Sequence, residues 1–438
     1  MSGVAGRPAE GRARLRALRA HLAEPLFSGA YSLMASTAST ALLGLVFWAV
    51  AARLYSSTAV GRDALLIVSL TTLSSICQLN LFDSIVRFLP AVAPSRRALR
   101  IAMGYGVSAL ASVLGGTAFV LLAPHVSRQL RFLSARPGLA IVYVVSVAFW
   151  TVFALEDAVL TTLRRPHWLP FENVSFSAAK IVLLPAMLAL GAGDGIFLGW
   201  VAPLVAIVPV VNVLLYRRVL APEARAPLAE PLPTIDRNRR RLLRFLAADY
   251  GGYVFSLAPA TLLPLVVVAH LGDSANAYFS VPMTLVFAFD LLFLGVTTSL
   301  IATAARTIER TRALTRIVTH RFLALLVPTA GLVALIAPLL LVPFGSAYSH
   351  HGTAVLRLLI AASPARAVIV LFGALSRLRT RGRPILLTQA ATFAVSLGLA
   401  VAFVGPLGIA GVALAWLIAN GAVAVAVLPL LVRSLRGL

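Results

Sequence analysis

Long apolar runs dominate this chain, and charged residues, glycine or proline bound each run. The first extends from Leu26 to Ala52. A helix that crosses a bilayer needs about 20 predominantly apolar residues. Twelve runs of that length lie near residues 27–52, 64–88, 101–123, 139–162, 171–191, 195–216, 245–270, 275–303, 321–344, 354–376, 384–404 and 408–432. The pattern predicts an all-α integral membrane protein with about twelve transmembrane helices.

Composition excludes several other classes of protein. Hydrophobic residues make up 60% of the chain and charged residues 12%, whereas soluble domains have about 45–50% and about 25%. A soluble enzyme is therefore excluded, and so is disorder, which requires low hydrophobicity. Cys77 is the only cysteine, and His350 and His351 are adjacent, so no disulfide, metal site or cofactor is expected. No phosphate-binding loop or catalytic triad is recognisable, which argues against an enzyme or a nucleotide-driven pump.

The basic residues alternate between the two sides of the predicted membrane. The chain has 38 Lys and Arg residues against 15 Asp and Glu, a net charge of +23. Of these 38, 29 lie in the two termini and in every second loop, and only 5 lie in the opposite loops. Cytoplasmic segments collect Lys and Arg, so both termini are predicted to be cytoplasmic. The charge therefore indicates topology and attraction to anionic membrane lipids, and no nucleic-acid partner is expected.

A proline-containing connector separates two halves of the chain. It extends from Arg217 to Arg244 and contains Pro222, Pro227 and Pro231. The predicted organisation has four parts: a basic cytoplasmic tail at 1–25, an N-terminal six-helix bundle at 26–216, a cytoplasmic linker at 217–244 and a C-terminal six-helix bundle at 245–438.

The two halves contain an internal repeat. A shift of 217 residues superimposes Ala52-Arg53-Leu54 on Ala269-His270-Leu271. The same shift aligns two polar stripes with i, i+4, i+7 spacing, namely Ser32, Ser36 and Ser39 in the first span and Asp249, Tyr253 and Ser256 in the seventh. Six crossings return the chain to its starting side, so the repeat is parallel. In transporters such halves enclose a central cleft. The stripes are predicted to line it, and helix packing through small residues is the alternative.

Ionisable residues within the predicted spans are further candidates for a site. A charge near the bilayer centre costs about 2.5–3.5 kcal/mol, so it usually faces a cavity or a partner. The cationic candidates for substrate binding are Lys180, Arg366 and Arg357. A Lys–Arg pair from opposite halves would suit an anionic group of a substrate. The carboxylates of Glu156, Asp157, Asp249 and Asp290 could instead neutralise these cations, and Asp290, Glu156 and Asp157 are also candidates for ion coupling. The sequence leaves substrate contact and ion pairing open.

Four short motifs occur in a characteristic order along the chain. They are Ala52-Arg53-Leu54-Tyr55 followed by Gly61, Asp83-Ser84-Ile85-Val86-Arg87-Phe88-Leu89-Pro90, Ala277-Tyr278-Phe279-Ser280 and Gly408-Ile409-Ala410-Gly411-Val412-Ala413. In this order and spacing they resemble the multidrug/oligosaccharidyl-lipid/polysaccharide exporter superfamily, and particularly its polysaccharide branch of O-antigen-type flippases.

The resemblance implies a V-shaped pair of six-helix bundles that alternates between the two faces of the bacterial cytoplasmic membrane. The implied cargo is an undecaprenyl-pyrophosphate-linked oligosaccharide, moved to the outer leaflet for cell-surface polysaccharide or lipopolysaccharide biosynthesis. The implied partners are this lipid-linked glycan, membrane lipids and polysaccharide-assembly enzymes. The superfamily has no short universal catalytic motif, so the resemblance transfers a fold and a transport class but no residue roles.

Two alternative functions stay open. A cation-coupled antiporter of drugs or other small molecules belongs to the same superfamily and would favour an acidic, aromatic cleft. A membrane glycan polymerase or ligase would need a large outer loop, and every predicted outer loop is short. A major-facilitator transporter shares the 6+6 layout, but the segment from Pro90 to Arg100 lacks that family's Gly-x-x-x-Asp-Arg pattern.

Overall fold

The computed structural model is almost entirely helical. It describes residues 25–126, 130–163, 165, 167–225, 239–305, 326–378 and 381–436. The predicted basic tail, part of the predicted linker and the beginning of the ninth predicted span lie outside the described residues.

Six long helices form the N-terminal half, which we call the N-lobe. They are α1 (Pro25–Leu54), α2 (Ser57–Cys77), α3 (Pro94–Val126), α4 (Pro137–Thr162), α5 (Trp168–Ala189) and α6 (Gly195–Leu215). A π-helical turn, Tyr216–Leu220, and a short helix, Ala221–Arg225, extend α6 toward the predicted linker.

The C-terminal half, which we call the C-lobe, contains the remaining helices. They are α7 (Arg239–Leu271), α8 (Asp273–Ala305), α9 (Leu326–Leu335 and Ala337–Phe344, bent by 70°), α10 (Ser346–Ala361 and Ser363–Leu378), and α11 and α12, the two limbs of Gly382–Arg436. Each predicted run overlaps one of these helices. Within the described ranges, eight helices, or nine with the bent pair, are long and apolar enough to cross a membrane. The prediction of an all-α membrane protein is confirmed.

Two glycines separate α11 from α12. Gly408 has a φ of 59°, in the left-handed region that favours glycine. A Cβ atom on Gly411 would lie 2.3 Å from the Phe403 carbonyl oxygen. The beginning of α12 can therefore pack this closely against the end of α11 only because Gly411 has no side chain. The boundary predicted between residues 404 and 408 lies at this break.

The second span is shorter than its apolar run. Helix α2 ends at Cys77, and Leu79 and Asn80 adopt left-handed φ values of 51° and 58°. A separate short helix, Leu81–Phe88, follows them. The prediction of one continuous span over 64–88 was therefore wrong at its C-terminal end. Left-handed residues cannot continue a right-handed helix, and hydrophobicity does not reveal where they occur.

The first turns of α2 and α8 bring the two lobes together. Asn276 Nδ2 donates a 2.7 Å hydrogen bond to the Gly61 carbonyl oxygen, and a Cβ atom on Gly61 would lie 1.7 Å from the Asp273 carbonyl oxygen. Ser57 Oγ and Ser274 Oγ lie 3.4 Å apart. These serines are 217 residues apart, which is the shift of the sequence repeat. Equivalent positions of the halves thus face each other, as expected for a parallel repeat about a two-fold axis.

The end of α1 adds a second contact between the lobes. Arg53 donates hydrogen bonds of 2.8 and 2.9 Å to the carbonyl oxygens of Pro343 and Val342, at the end of α9. We call this region, where α1 ends and α2 and α8 begin, the closed end of the molecule. Farther from it, the Tyr250 hydroxyl of α7 donates a 2.6 Å hydrogen bond to the Ile76 carbonyl oxygen of α2.

A buried carboxylate holds the beginning of α6 against α2. Asp63 is fully buried, and its Oδ2 accepts hydrogen bonds of 3.1 Å from the backbone N–H groups of Ile196 and Phe197. First-turn N–H groups have no partner within their own helix. Arg62 lies 3.4 Å from the other Asp63 oxygen and also forms a 2.9 Å ion pair with Asp194. This network positions the N-lobe helices at the closed end.

Asp63→Ala is expected to destabilise the N-lobe. The substitution would leave two buried N–H groups without an acceptor, at a cost of about 1–3 kcal/mol each. The midpoint of thermal unfolding of the detergent-purified protein should therefore fall. Glu223→Ala is the matched control, because it removes only a partly exposed ion pair with Arg97. Equal midpoints for the two variants would contradict the role of Asp63.

Candidate functional site

A cavity of about 530 Å³ lies inside the C-lobe. Its walls come mainly from α7, α8, α10, α11 and α12. Most of the lining is apolar or aromatic, and the charged and amide-bearing or hydroxyl side chains include Asp290, Arg366, Arg377, Gln389, Thr392 and Asn420. A largely apolar cavity with a few convergent polar groups is typical of a small-molecule site.

Arg366 and Asp290 form an ion pair in the cavity wall. The Arg366 guanidinium also lies 5.6 Å from the centre of the Phe287 ring and 5.2 Å from the centre of the Trp416 ring. Such cation–π contacts stabilise a guanidinium away from bulk water. The second limb of α10 begins at Ser363, so the break in this helix places Arg366 on a first turn that lines the cavity.

A second ion pair contributes to the same lobe. Arg377 Nε donates a 2.9 Å hydrogen bond to Asp249 Oδ1. The Arg377 side chain is 49% exposed and that of Asp249 10%, and the values for Arg366 and Asp290 are 25% and 20%. In both pairs the cation is the more accessible partner. Each guanidinium that lines the cavity thus has a carboxylate beside it, and the difference in exposure is large only for Arg377 and Asp249.

Ser363 supplies an unused hydrogen-bonding group. It lines the cavity and is 2% exposed, and its Oγ has no partner among the described residues. Buried polar groups normally have a partner. In contrast, Asn420 and Thr392 already donate hydrogen bonds to the backbone oxygens of Trp416 and Thr388. The cavity can thus offer a ligand a hydroxyl group, aromatic faces and guanidinium groups.

Lys180 lies in the N-lobe, away from this cavity. Its side chain is buried, and its Nζ lies 5.2, 4.9 and 5.9 Å from the ring centres of Phe47, Phe176 and Trp200. None of the ion pairs within the described part of the chain includes Lys180. The structure therefore places Lys180 and Arg366 in separate aromatic environments, one in each lobe, and does not bring them together across one site.

Arg357 and the carboxylates of α4 also lie outside the cavity. Arg357 is exposed, and its Nε donates a 3.0 Å hydrogen bond to the Ala334 carbonyl oxygen of α9. Glu156 is fully buried in the N-lobe, where Asn212 Nδ2 of α6 donates a hydrogen bond to it. Asp157 follows it on α4 and is half-buried.

The two predicted polar stripes have different surroundings. On α7, Ser256 lines the cavity, Asp249 is paired with Arg377, and Tyr253 is 36% exposed. On α1, Ser39 is half-buried, and the side chains of Ser32 and Ser36 lie outside the described residues. The α7 stripe is thus associated with the C-lobe cavity.

Sequence reasoning missed several residues of these sites. Trp416 and Phe287 lie in apolar runs in which no pattern distinguishes one aromatic residue from another. Arg377 was counted as a loop residue, but it lies on α10 and lines the cavity.

Comparison with known proteins identifies the fold. No family model matches the chain, and no curated protein matches it. An inward-facing multidrug resistance MATE family transporter of the MOP superfamily is 15% identical in sequence and superimposes with a TM-score of 0.68. The superposition covers 91% of this chain and 95% of the transporter. The chain has the fold of the MATE transporters of the MOP superfamily. Its two six-helix lobes are therefore confirmed.

Two further structures share this fold. An outward-facing MATE family transporter is 15% identical, covers 93% of this chain and 94% of its own, and has a TM-score of 0.60. A MOP superfamily transporter from Pyrococcus furiosus, described as having a binding pocket of reverse polarity that suggests a different function, is also 15% identical. It covers 93% of this chain and 95% of its own, with a TM-score of 0.60. All three are transporters, and the polysaccharide flippase branch stays a prediction.

Proposed function

We propose that this protein is a secondary transporter that exports an amphipathic small molecule by alternating access. The C-lobe cavity is the observation that carries this proposal, because it combines aromatic walls with accessible guanidinium groups inside a bundle of apolar helices. Its volume of about 530 Å³ lies within the range of about 300–1,000 Å³ that is typical of small-molecule pockets. The multidrug resistance transporter with the same fold supports a small-molecule cargo.

We further propose that the closed end faces the outside of the cell. The segments rich in arginine connect the helices at the opposite end, and cytoplasmic segments collect such residues. With this orientation, the structure corresponds to an inward-facing state. The higher TM-score of the inward-facing relative, compared with the outward-facing one, supports this assignment.

The proposed substrate carries negative charge. Arg366 and Arg377 are more exposed than the carboxylates beside them, and a guanidinium group binds a carboxylate or phosphate through two parallel hydrogen bonds. Phe287 and Trp416 would contact the apolar part of the same molecule.

The guanidinium groups also favour a second candidate, the flippase of the sequence resemblance. Arg366 and Arg377 would then bind the pyrophosphate of a lipid-linked glycan. A cavity of about 530 Å³ accommodates a molecule of drug size, whereas a whole lipid-linked oligosaccharide is larger. The cavity volume therefore favours the small-molecule substrate.

Efflux from proteoliposomes tests this function. The vesicles would contain one of two fluorescent amphiphiles of similar size, one anionic and one cationic. We expect the anionic dye to leave at least about tenfold faster than from protein-free vesicles. Transport of the cationic dye alone would contradict the proposed substrate charge. Transport of neither dye, with lipid-linked glycan accumulating on the inner leaflet of cells depleted of the protein, would establish the flippase instead.

A further inference from the structure

Helix α10 is broken beside the C-lobe cavity. Its first limb ends at Ala361 and its second limb begins at Ser363, near the middle of a span that extends from Ser346 to Arg377. Pro364 accounts for the break, because proline lacks the backbone N–H group that would continue the helix and its ring clashes with the preceding turn. The second limb therefore begins within the membrane-spanning part of the protein.

The first turn of this second limb has unused backbone donors. N–H groups in a first turn have no acceptor within their own helix. Ser363 and Ala365 contribute two such groups, whereas Pro364 has none. The next N–H group, that of Arg366, donates a 2.9 Å hydrogen bond to the Ala362 carbonyl oxygen. A helix beginning of this kind favours a negatively charged group, because the helix dipole places about half a positive charge there.

The Ser363 side chain indicates that a ligand occupies this position. Ser363 lines the cavity and is 2% exposed, and its Oγ has no hydrogen-bond partner among the described residues. A serine at the beginning of a helix commonly accepts a hydrogen bond from an N–H group of the same helix, and this one does not. A buried hydroxyl group without a partner is rare. Its O–H group is therefore available to a molecule in the cavity.

Arg366 lies one turn beyond Ser363 and lines the same cavity. One of its N–H groups binds Asp290. The rings of Phe287 and Trp416 hold the guanidinium in place, with ring centres 5.6 and 5.2 Å away. A guanidinium has five N–H donors, so Arg366 keeps donors for a second acceptor beside the Ser363 hydroxyl group.

The charges around the break favour a ligand with one negative charge. Asp290 neutralises Arg366, and the helix beginning adds about half a positive charge. Arg377 also lines the cavity, but it is paired with Asp249. No other Lys or Arg is present in the described cavity wall. A second negative charge on the ligand would therefore meet carboxylates without an additional cation.

We propose that the beginning of the second limb of α10 binds the anionic head of the substrate, with the Ser363 hydroxyl and the Arg366 guanidinium as the side-chain donors. The head is an oxyanion with a single charge, such as a carboxylate or a sulfonate. The apolar part of the molecule contacts Phe287 and Trp416. This site rests on the proposed export of an anionic amphiphile, and its single charge distinguishes it from a site for a pyrophosphate.

Binding of a fluorescent amphiphile with one carboxylate group, compared with its methyl ester, tests this site in the purified full-length protein. We expect the wild type to bind the carboxylate at least about tenfold more tightly than the ester. Ser363→Ala should weaken carboxylate binding about tenfold, because a hydrogen bond to a charged group is lost, and should leave ester binding unchanged. Equal carboxylate binding by the wild type and Ser363→Ala would overturn the proposal.

Ser349→Ala is the matched control. Ser349 lies on the first limb of the same helix, and its hydroxyl group already donates a 3.0 Å hydrogen bond to the Pro338 carbonyl oxygen. This variant should keep the preference for the carboxylate. Ser363→Ala should also keep the thermal unfolding midpoint of the wild type, because the hydroxyl group has no partner among the described residues. A lower midpoint with equal losses of carboxylate and ester binding would show a structural role and overturn the proposal.

Pro364→Ala tests the contribution of the helix beginning. Alanine restores an N–H group and favours a continuous helix, so the first-turn N–H groups would gain acceptors in the first limb. We expect weaker carboxylate binding and retained ester binding, measured by the same dye fluorescence. Unchanged carboxylate binding in this variant would exclude the helix beginning from the site.

Two further results separate this site from the proposed function. Tighter binding of a phosphate monoester analogue than of the carboxylate would overturn the single charge of the ligand. Carboxylate binding that depends on Ser363, without dye efflux from proteoliposomes, would contradict the proposed export and leave the binding site in place. Efflux of the anionic dye by a protein that binds carboxylate and ester equally would overturn the site alone.

Discussion

Gly61→Ala is expected to prevent the closed end from closing. The added Cβ would lie 1.7 Å from the Asp273 carbonyl oxygen and 2.9 Å from the Ala277 backbone nitrogen. Both are backbone atoms, so α2 and α8 would have to separate, and the hydrogen bond from Asn276 to the Gly61 carbonyl oxygen would be lost. Overpacking typically costs about 1–3 kcal/mol. A shift of about 3 kcal/mol changes the ratio of closed to open molecules roughly a hundredfold, and transport should fall accordingly.

Cysteine labelling measures this opening. Ser57→Cys reports on the closed end, and Cys77, the native cysteine, is buried and contributes little background. Labelling from outside should be faster when Gly61→Ala is also present. Gly104→Ala is the matched control, since Gly104 is also a helical glycine but its Cβ would meet nothing within 4 Å. Equal labelling rates of Ser57→Cys in the Gly61→Ala and Gly104→Ala proteins would contradict our assignment of the closed end.

Arg366→Ala is expected to reduce transport by more than about tenfold. It removes the more accessible member of the ion pair and leaves Asp290 in the cavity wall without its cation. Removing one partner of a buried pair costs about 3–5 kcal/mol, and the partial exposure of this pair should lower the cost. Arg357→Ala is the control, because Arg357 is exposed and bonds only to the α9 backbone among the described residues. Its transport rate should stay close to that of the wild type.

A double variant separates substrate binding from structural stabilisation. Arg366→Met with Asp290→Leu replaces the ion pair by apolar groups of similar size, which often preserves stability. We expect its thermal unfolding midpoint to match the wild type while transport stays low, measured by dye efflux from proteoliposomes. Recovery of transport in the double variant would show that the pair is structural and would remove Arg366 from the substrate site.

The helix architecture was accessible from sequence because a membrane imposes a simple physical rule. Every crossing must be apolar and helical for about 20 residues, so the run that contains Lys180 and the run that contains Arg366 are visible without any tertiary information. The break at Leu79 and Asn80 was not visible, because it depends on backbone dihedral angles that hydrophobicity does not report. The repeat shift of 217 residues was also visible in the sequence, whereas the contact between Ser57 and Ser274, which this shift separates, was found only in the structure.

The candidate sites required the fold. Sequence could place Arg366 and Asp290 within spans but could not choose between substrate contact and pairing, because that choice depends on which faces of α8 and α10 meet. The structure pairs them, and it surrounds Lys180 with aromatic rings in the other lobe.

Glu156 shows the same limit most directly. The apolar patterning of this chain specifies an all-α membrane protein of two similar halves, because burial in lipid acts on each segment separately. The partners of individual charges depend on distances between side chains from helices far apart in sequence. Glu156 lies on α4 and Asn212 on α6, and only the packing of these two helices brings the Asn212 amide to the Glu156 carboxyl group.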